Sequence, residues 1–192
     1  MNAPDPVAAS LAEHLATAQA FQGLAGDISA MARLWWKALS NGGQVLLCGN
    51  GGSAGDCQHI AAELTGRFET ERAPLRGVAL TTDTSAITAI ANDYGYDEVF
   101  ARQVRALARP GDCLVAISTS GNSTGILRAV ATAREIGVSV TGMTGAAGGK
   151  LAPLCDVCLR APSTRTARVQ EMHILAGHCA CELIDRWSAG AP

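Results

Sequence analysis

Five short apolar runs, at 44–48, 77–80, 113–117, 139–143 and 157–159, constrain this chain more than any other feature, because helical patterns separate them. Those patterns lie near 54–65, 85–108 and 123–136, and a last one follows at 165–187. Strand and helix in strict alternation predict a parallel sheet with helices on both faces, since right-handed crossovers leave no other packing. The expected fold is α/β, a flavodoxin-like doubly wound five-stranded parallel sheet. In the strand order 2-1-3-4-5, the loops after the first and third strands flank the topological switch point, where such sheets bind ligands. Ahead of the sheet, Leu11, Leu15, Ala18, Phe21, Leu24, Ile28, Met31, Leu34 and Trp35 recur at steps of three and four. This spacing predicts an N-terminal helical extension, one helix or two joined near Gly23 or Gly26, ended by Asn41-Gly42-Gly43. The chain thus divides into a helical element at 1–40 and a sheet domain at 41–192.

The two switch-point loops are the most unusual segments. Gly49-Asn50-Gly51-Gly52-Ser53 follows the first run and Ser118-Thr119-Ser120-Gly121-Asn122-Ser123 the third. A Ser/Thr/Gly-rich loop that opens a helix offers hydroxyls, backbone N–H groups and the positive end of the helix dipole to one anion. One hydroxyl would be an ordinary helix cap; four within six residues point to phosphate. Two better-known phosphate motifs fail. Gly52-Ser53 lacks the lysine of a nucleotide-triphosphate loop, and Gly49-x-Gly51-x-x-Ala54 lacks the acid expected about 20 residues on in a dinucleotide site.

The helix after the first loop carries Asp56, His59 and Glu63. His59 and Glu63 are four apart and share a helix face, able to hold one metal ion or one substrate proton, although such a pair alone is more often solvent-facing. The last helix carries Gln170, Glu171, His173 and His178. Gln170 and His178 are separated by about 12 Å of helix rise, an awkward span for one ion, and His173 reads equally well as a core histidine.

Composition excludes other classes. With 15 basic against 17 acidic residues, a net charge of −2, and three Trp, three Phe and two Tyr, the chain offers neither attraction to a polyanion nor a stacking platform, so nucleic acid is not an expected partner. No apolar run is long enough to span a membrane, and Met1–Ser10 lacks the character of a signal peptide. A cytoplasmic protein is expected. Its seven cysteines form no disulfide framework. Cys155-x-x-Cys158 has no second pair, no nearby histidine and no helix start behind it, so it reads as packing sulfur. Charged residues make up only 17% of the chain, against about 25% in a typical soluble domain, so something other than charge covers the surface. Helical faces buried against further copies of the chain would do so.

Taken together, CGNGGSAGD at 48–56, QHIAAELTGRF at 58–68, TTDTSAITAIANDYGYDEVF at 81–100, AISTSGNS at 116–123 and ARVQEMHILAGH at 167–178 resemble the sugar isomerase (SIS) superfamily. Within it they resemble the phosphoheptose isomerases, along most of the chain. The resemblance implies interconversion of sedoheptulose 7-phosphate and D-glycero-D-manno-heptose 7-phosphate through an enediol, the first step of ADP-heptose synthesis for the lipopolysaccharide core. It implies one zinc ion per subunit on His59, Glu63, Gln170 and His178, with Glu63 and His178 as the acid/base pair. It places sugar contacts at Gly51, Gly52, Ser53, Asn92, Asp93 and Gln170 and phosphate contacts at Ser118, Thr119, Ser120 and Ser123. It also implies a homotetramer with sites at subunit interfaces. Gly177 stands where the family more often has a bulkier aliphatic residue, so looser packing behind His178 is expected.

One rival shares the fold. A non-enzymatic SIS tetramer that binds the bacterial replication initiator resembles this chain in the FETER stretch and in ANDxxxDEVFxxQVRAL. It lacks the acid/base pair, which this chain retains at Glu63 and His178, and carries a threonine where Gly52 stands. A regulatory SIS module that senses amino-sugar phosphates would use the phosphate loop but not His59, Glu63 and His178. The isomerase reading accounts for all of them.

Overall fold

The computed structural model describes residues 5–190; residues 1–4 of the N-terminal element and 191–192 of the sheet domain lie outside the described residues. The N-terminal pattern forms two helices, α1 (Pro6–Phe21) and α2 (Ala25–Ser40), joined by a single 3-10 turn at Gln22–Leu24 that contains Gly23. Asp5 caps α1 by accepting the Val7 N–H. The sheet then alternates β1 (Val45–Gly49), α3 (Gly52–Thr65), β2 (Gly77–Ala79), α4 (Thr84–Tyr94), α5 (Val99–Leu107), β3 (Cys113–Ile117), α6 (Thr124–Ile136), β4 (Ser139–Thr144), β5 (Val157–Arg160) and α7 (Thr166–Ser188).

The strand order is β2-β1-β3-β4-β5, all parallel, as the alternation predicts. The helical pattern at 85–108 forms two helices, α4 and α5. Gly95, at φ +88°, breaks it, and a 3-10 turn at Tyr96–Glu98 leads into α5. Only glycine adopts that backbone without strain.

Side chains alternate across the sheet. Val45, Leu47, Val115, Ile117 and Met143 face the layer of α2, α3 and α7; Leu46, Cys48, Leu114, Ala116 and Val140 face α5 and α6. The second half of the N-terminal element belongs to this core. Met31 and Trp35 of α2 are fully buried, and the Trp35 indole N–H donates to Thr141 Oγ1 at 2.9 Å. In contrast, α1 exposes Val7, Leu11 and Leu15, each more than 60% accessible and spaced four apart on one face. Among the described residues no helix is long and apolar enough to cross a membrane.

Candidate active site

The C-terminal ends of β1 and β3 deliver the two loops side by side. Gly51 turns the chain into α3 at φ +58°, and Ser53 behind it is 3% exposed. The hydroxyl loop at 118–123 is a tight backbone turn: Gly121 N–H donates to Ser118 O, and Asn122 N–H to Ser120 Oγ. Gly121, at φ +67°, lies directly on the Gly148 carbonyl, leaving no room for a side chain. The segment after β4 braces the loop, with Gly145 N–H on Thr119 O and Leu151 N–H on Gly121 O, both at 2.9 Å. Ser123 occupies the N-cap position of α6, but its side chain makes no cap hydrogen bond. Instead its hydroxyl accepts from Asn50 Nδ2 at 3.0 Å, while Asn50 Oδ1 accepts from Tyr96 O–H at 2.9 Å. This chain of contacts ties the first loop to the second. The N–H groups at the start of α6 are thus not occupied by their own cap, which suits an anion.

The catalytic candidates converge from α3 and α7. His59 Nε2 is 3.2 Å from Glu63 Oε1 and 3.3 Å from His178 Nε2, and the ligand atoms of all three lie within 4.8 Å of one another. The imidazoles meet edge to face at 4.9 Å, and Phe68 stacks on His178 at 5.5 Å. Two imidazole nitrogens and a carboxylate this close together could hold one metal ion. One turn before His59, burial pushes the Asp56 carboxyl up to about 6, against the opposing pull of His59.

Gln170 stands elsewhere on the same α3–α7 seam. Its carboxamide packs against Gly52, with Cδ 2.8 Å from where a Cβ would stand. That is two turns of α3, about 10 Å, before His59. Gly52 therefore has a packing reason as well as a loop reason: any side chain would displace Gln170. Asn92 and Asp93 are exposed at the end of α4, Asn92 Nδ2 donating to Asp93 Oδ1, and among the described residues no hydrogen bond joins them to either loop.

The looser packing expected behind His178 is not found. A Cβ on Gly177 would lie 2.7 Å from Ile60 Cδ1, and Ile60 is fully buried, so a neighbouring side chain fills the space a larger residue would take. His173 is a core histidine: fully buried, its Nε2–H donates to Thr144 O at 3.1 Å, and burial lowers its pKa to about 4.

Sequence reasoning missed Asn50, Tyr96 and Phe68, which lie inside the matching segments without a spacing that marks them. It also missed Arg72 and Asp185, which are 113 residues apart.

A family model described as the SIS domain matches residues 10–145. A phosphoheptose isomerase of Rhodospirillum rubrum is 61% identical over 148 residues, 77% of this chain and 79% of that protein. One from Campylobacter concisus is 53% identical over 175 residues, covering 91% of this chain and 93% of that one. The structure of the phosphoheptose isomerase of Neisseria gonorrhoeae superposes with a TM-score of 0.89 at 51% identity, over 93% of this chain and 96% of that one. The triad on α3 and α7, the hydroxyl loop and these likenesses agree: the chain belongs to the phosphoheptose isomerase family of SIS-domain proteins.

Proposed function

We propose that the protein isomerises sedoheptulose 7-phosphate to D-glycero-D-manno-heptose 7-phosphate, the entry to ADP-heptose synthesis, and that it does so in the cytoplasm. The observation that carries this reading is the meeting of Glu63 and His178, from two different helices, in a chain that also carries a loop suited to phosphate. The pair and the loop lie about 16 Å apart along α3, so a site that uses both draws them from different subunits. The sugar phosphate anchors on Ser118, Thr119, Ser120 and Ser123 through hydroxyls and amides, which needs no added positive charge. Gly51, Gly52, Ser53, Asn92 and Asp93 contact the sugar, with Gln170 reaching it from over Gly52.

Moving the carbonyl from C2 to C1 requires a proton to leave C1 and return to C2. Glu63, an anionic carboxylate that is 22% exposed, serves as that base, and His178 moves protons among the substrate oxygens. Phe68 stacks on the imidazole. His59, Glu63 and His178 fit zinc by donor chemistry, and zinc held there supplies Lewis-acid polarisation of the carbonyl. Gln170, about 10 Å back along the seam, is too far to ligate the same ion, so a Gln170 ligand would come from another copy of the chain.

We assign residues 1–40 to self-association as a homotetramer, with the exposed Val7, Leu11 and Leu15 stripe as its seam. The initiator-binding rival gains no support, because Glu63 and His178 would have no use in it. The deciding experiment is incubation with sedoheptulose 7-phosphate, with and without a chelator, read by NMR. Appearance of the aldose signal supports the isomerase; its absence under both conditions overturns it.

A further inference from the structure

The seven cysteines divide sharply. Cys48, Cys113 and Cys181 are buried, and burial pushes each thiol up to about 12; buried Cys57 is driven well above its usual value and half-buried Cys179 is also raised. Those five are inert packing sulfur. Cys155 and Cys158 are different. Both are half-buried, and the chain bends at Cys155–Asp156 before β5, so side chains three apart fall on the same side. The two sulfurs crowd over Gly142 of β4, at 2.5 and 3.1 Å from where a Cβ would stand. A side chain at 142 would drive them apart.

The surroundings favour a thiolate at one of the two. Hydrogen bonding with Cys155, then Thr144 and the charge of Arg160, outweigh burial and Asp27 and hold Cys158 down at about 7. The same partnership and burial push Cys155 up, against Arg134 and with Asp156. The pairing favours the thiolate at Cys158 over Cys155, the arrangement of an attacking and a resolving thiol.

We propose that Cys155 and Cys158 are a modification site, a vicinal dithiol that a hydroperoxide closes to a disulfide. The Cys158 thiolate attacks the peroxide O–O bond, forming a sulfenic acid and releasing an alkoxide or hydroxide that takes up a proton. The Cys155 sulfur then attacks the Cys158 sulfur and displaces hydroxide, which leaves as water with the Cys155 proton. Two thiols and ROOH become a disulfide, ROH and water. The sulfurs lose two electrons and the peroxide gains them.

The pair also lies one hydrogen-bonded step from the hydroxyl loop. Cys155 Sγ lies 3.3 Å from Leu151 O, and Leu151 N–H donates to Gly121 O. The chemistry of the pair stands independently of the phosphosugar reading.

The test treats the reduced full-length protein with hydrogen peroxide at neutral pH, then with iodoacetamide, and maps tryptic peptides. Both cysteines lie in one such peptide, Leu151–Arg160. It should lose the mass of two hydrogens, resist alkylation and recover with a thiol reductant. Cys155→Ser should instead accumulate a dimedone adduct at Cys158. A peptide that stays alkylatable, or that goes only to sulfinic or sulfonic acid, overturns the proposal.

Discussion

Arg72 and Asp185 form a buried ion pair, Nε to Oδ1 at 2.6 Å, that fastens the end of α3 to the end of α7. Asp185 also accepts the Glu69 and Thr70 N–H groups, and the Arg72 guanidinium donates to the carbonyls of Glu63 and Leu64. It thereby satisfies the open C-terminal carbonyls of the helix that carries Glu63. The backbone of one half of the acid/base pair is thus tied directly to the helix of the other.

Removing one partner strands the other charge. Arg72→Met should cost about 3–5 kcal/mol of stability, read by urea unfolding. The fraction that remains folded should lose turnover more than substrate affinity, since Glu63 and His178 lose their shared frame. An unchanged midpoint would show that the pair does no such fastening.

Asp185 also gives the fold an acid limit. Burial raises its pKa, but the N–H groups of Thr70 and Glu69 and the Arg72 guanidinium outweigh it, and the folded value lies below 3.8. The unfolded chain therefore binds this proton first. The stabilisation is complete above the ordinary carboxylate range and is lost as pH falls through the lower, folded value. Asp185→Asn should flatten that part of the acid-unfolding curve.

His173 acts at a higher pH. Its folded pKa of about 4, against 6.5 unfolded, means the unfolded state takes up a proton that the native core refuses. Stability should fall by about 3 kcal/mol as pH drops from 6.5 towards 4. His173→Gln should remove most of that slope in denaturant titrations at stepped pH.

For catalysis, Glu63→Gln and His178→Ala should each reduce kcat by ~10²–10⁴-fold while circular dichroism stays that of the parent. Near-parental turnover in either variant would contradict the assigned roles. Chelation should lower activity if the triad holds its metal during turnover, with added zinc restoring it.

The bridge between the loops predicts a binding effect. Tyr96→Phe frees Asn50, and Asn50→Ala frees Ser123; each should raise KM about five-fold, the worth of roughly 1 kcal/mol per hydrogen bond. Unchanged KM in both would remove Asn50 and Tyr96 from the site.

Local chemistry was enough to determine the alternation of strands and helices, the strand order and the two switch-point loops. Periodicity and turn residues act over a few positions, and right-handed crossovers leave little choice beyond them. The break at Gly95 was locally encoded too, but the apolar pattern on either side hid it. The register between α3 and α7 could not be read this way, because it is set by which side chains fit across the seam. Tertiary packing placed Ile60 in the space beside Gly177 and Gln170 over Gly52, and brought His59 and Glu63 to His178. The same is true of Arg72 with Asp185. For Cys155 and Cys158 the spacing was visible, but their meeting depended on a bend in one strand's approach and on a glycine in another strand leaving room for both sulfurs.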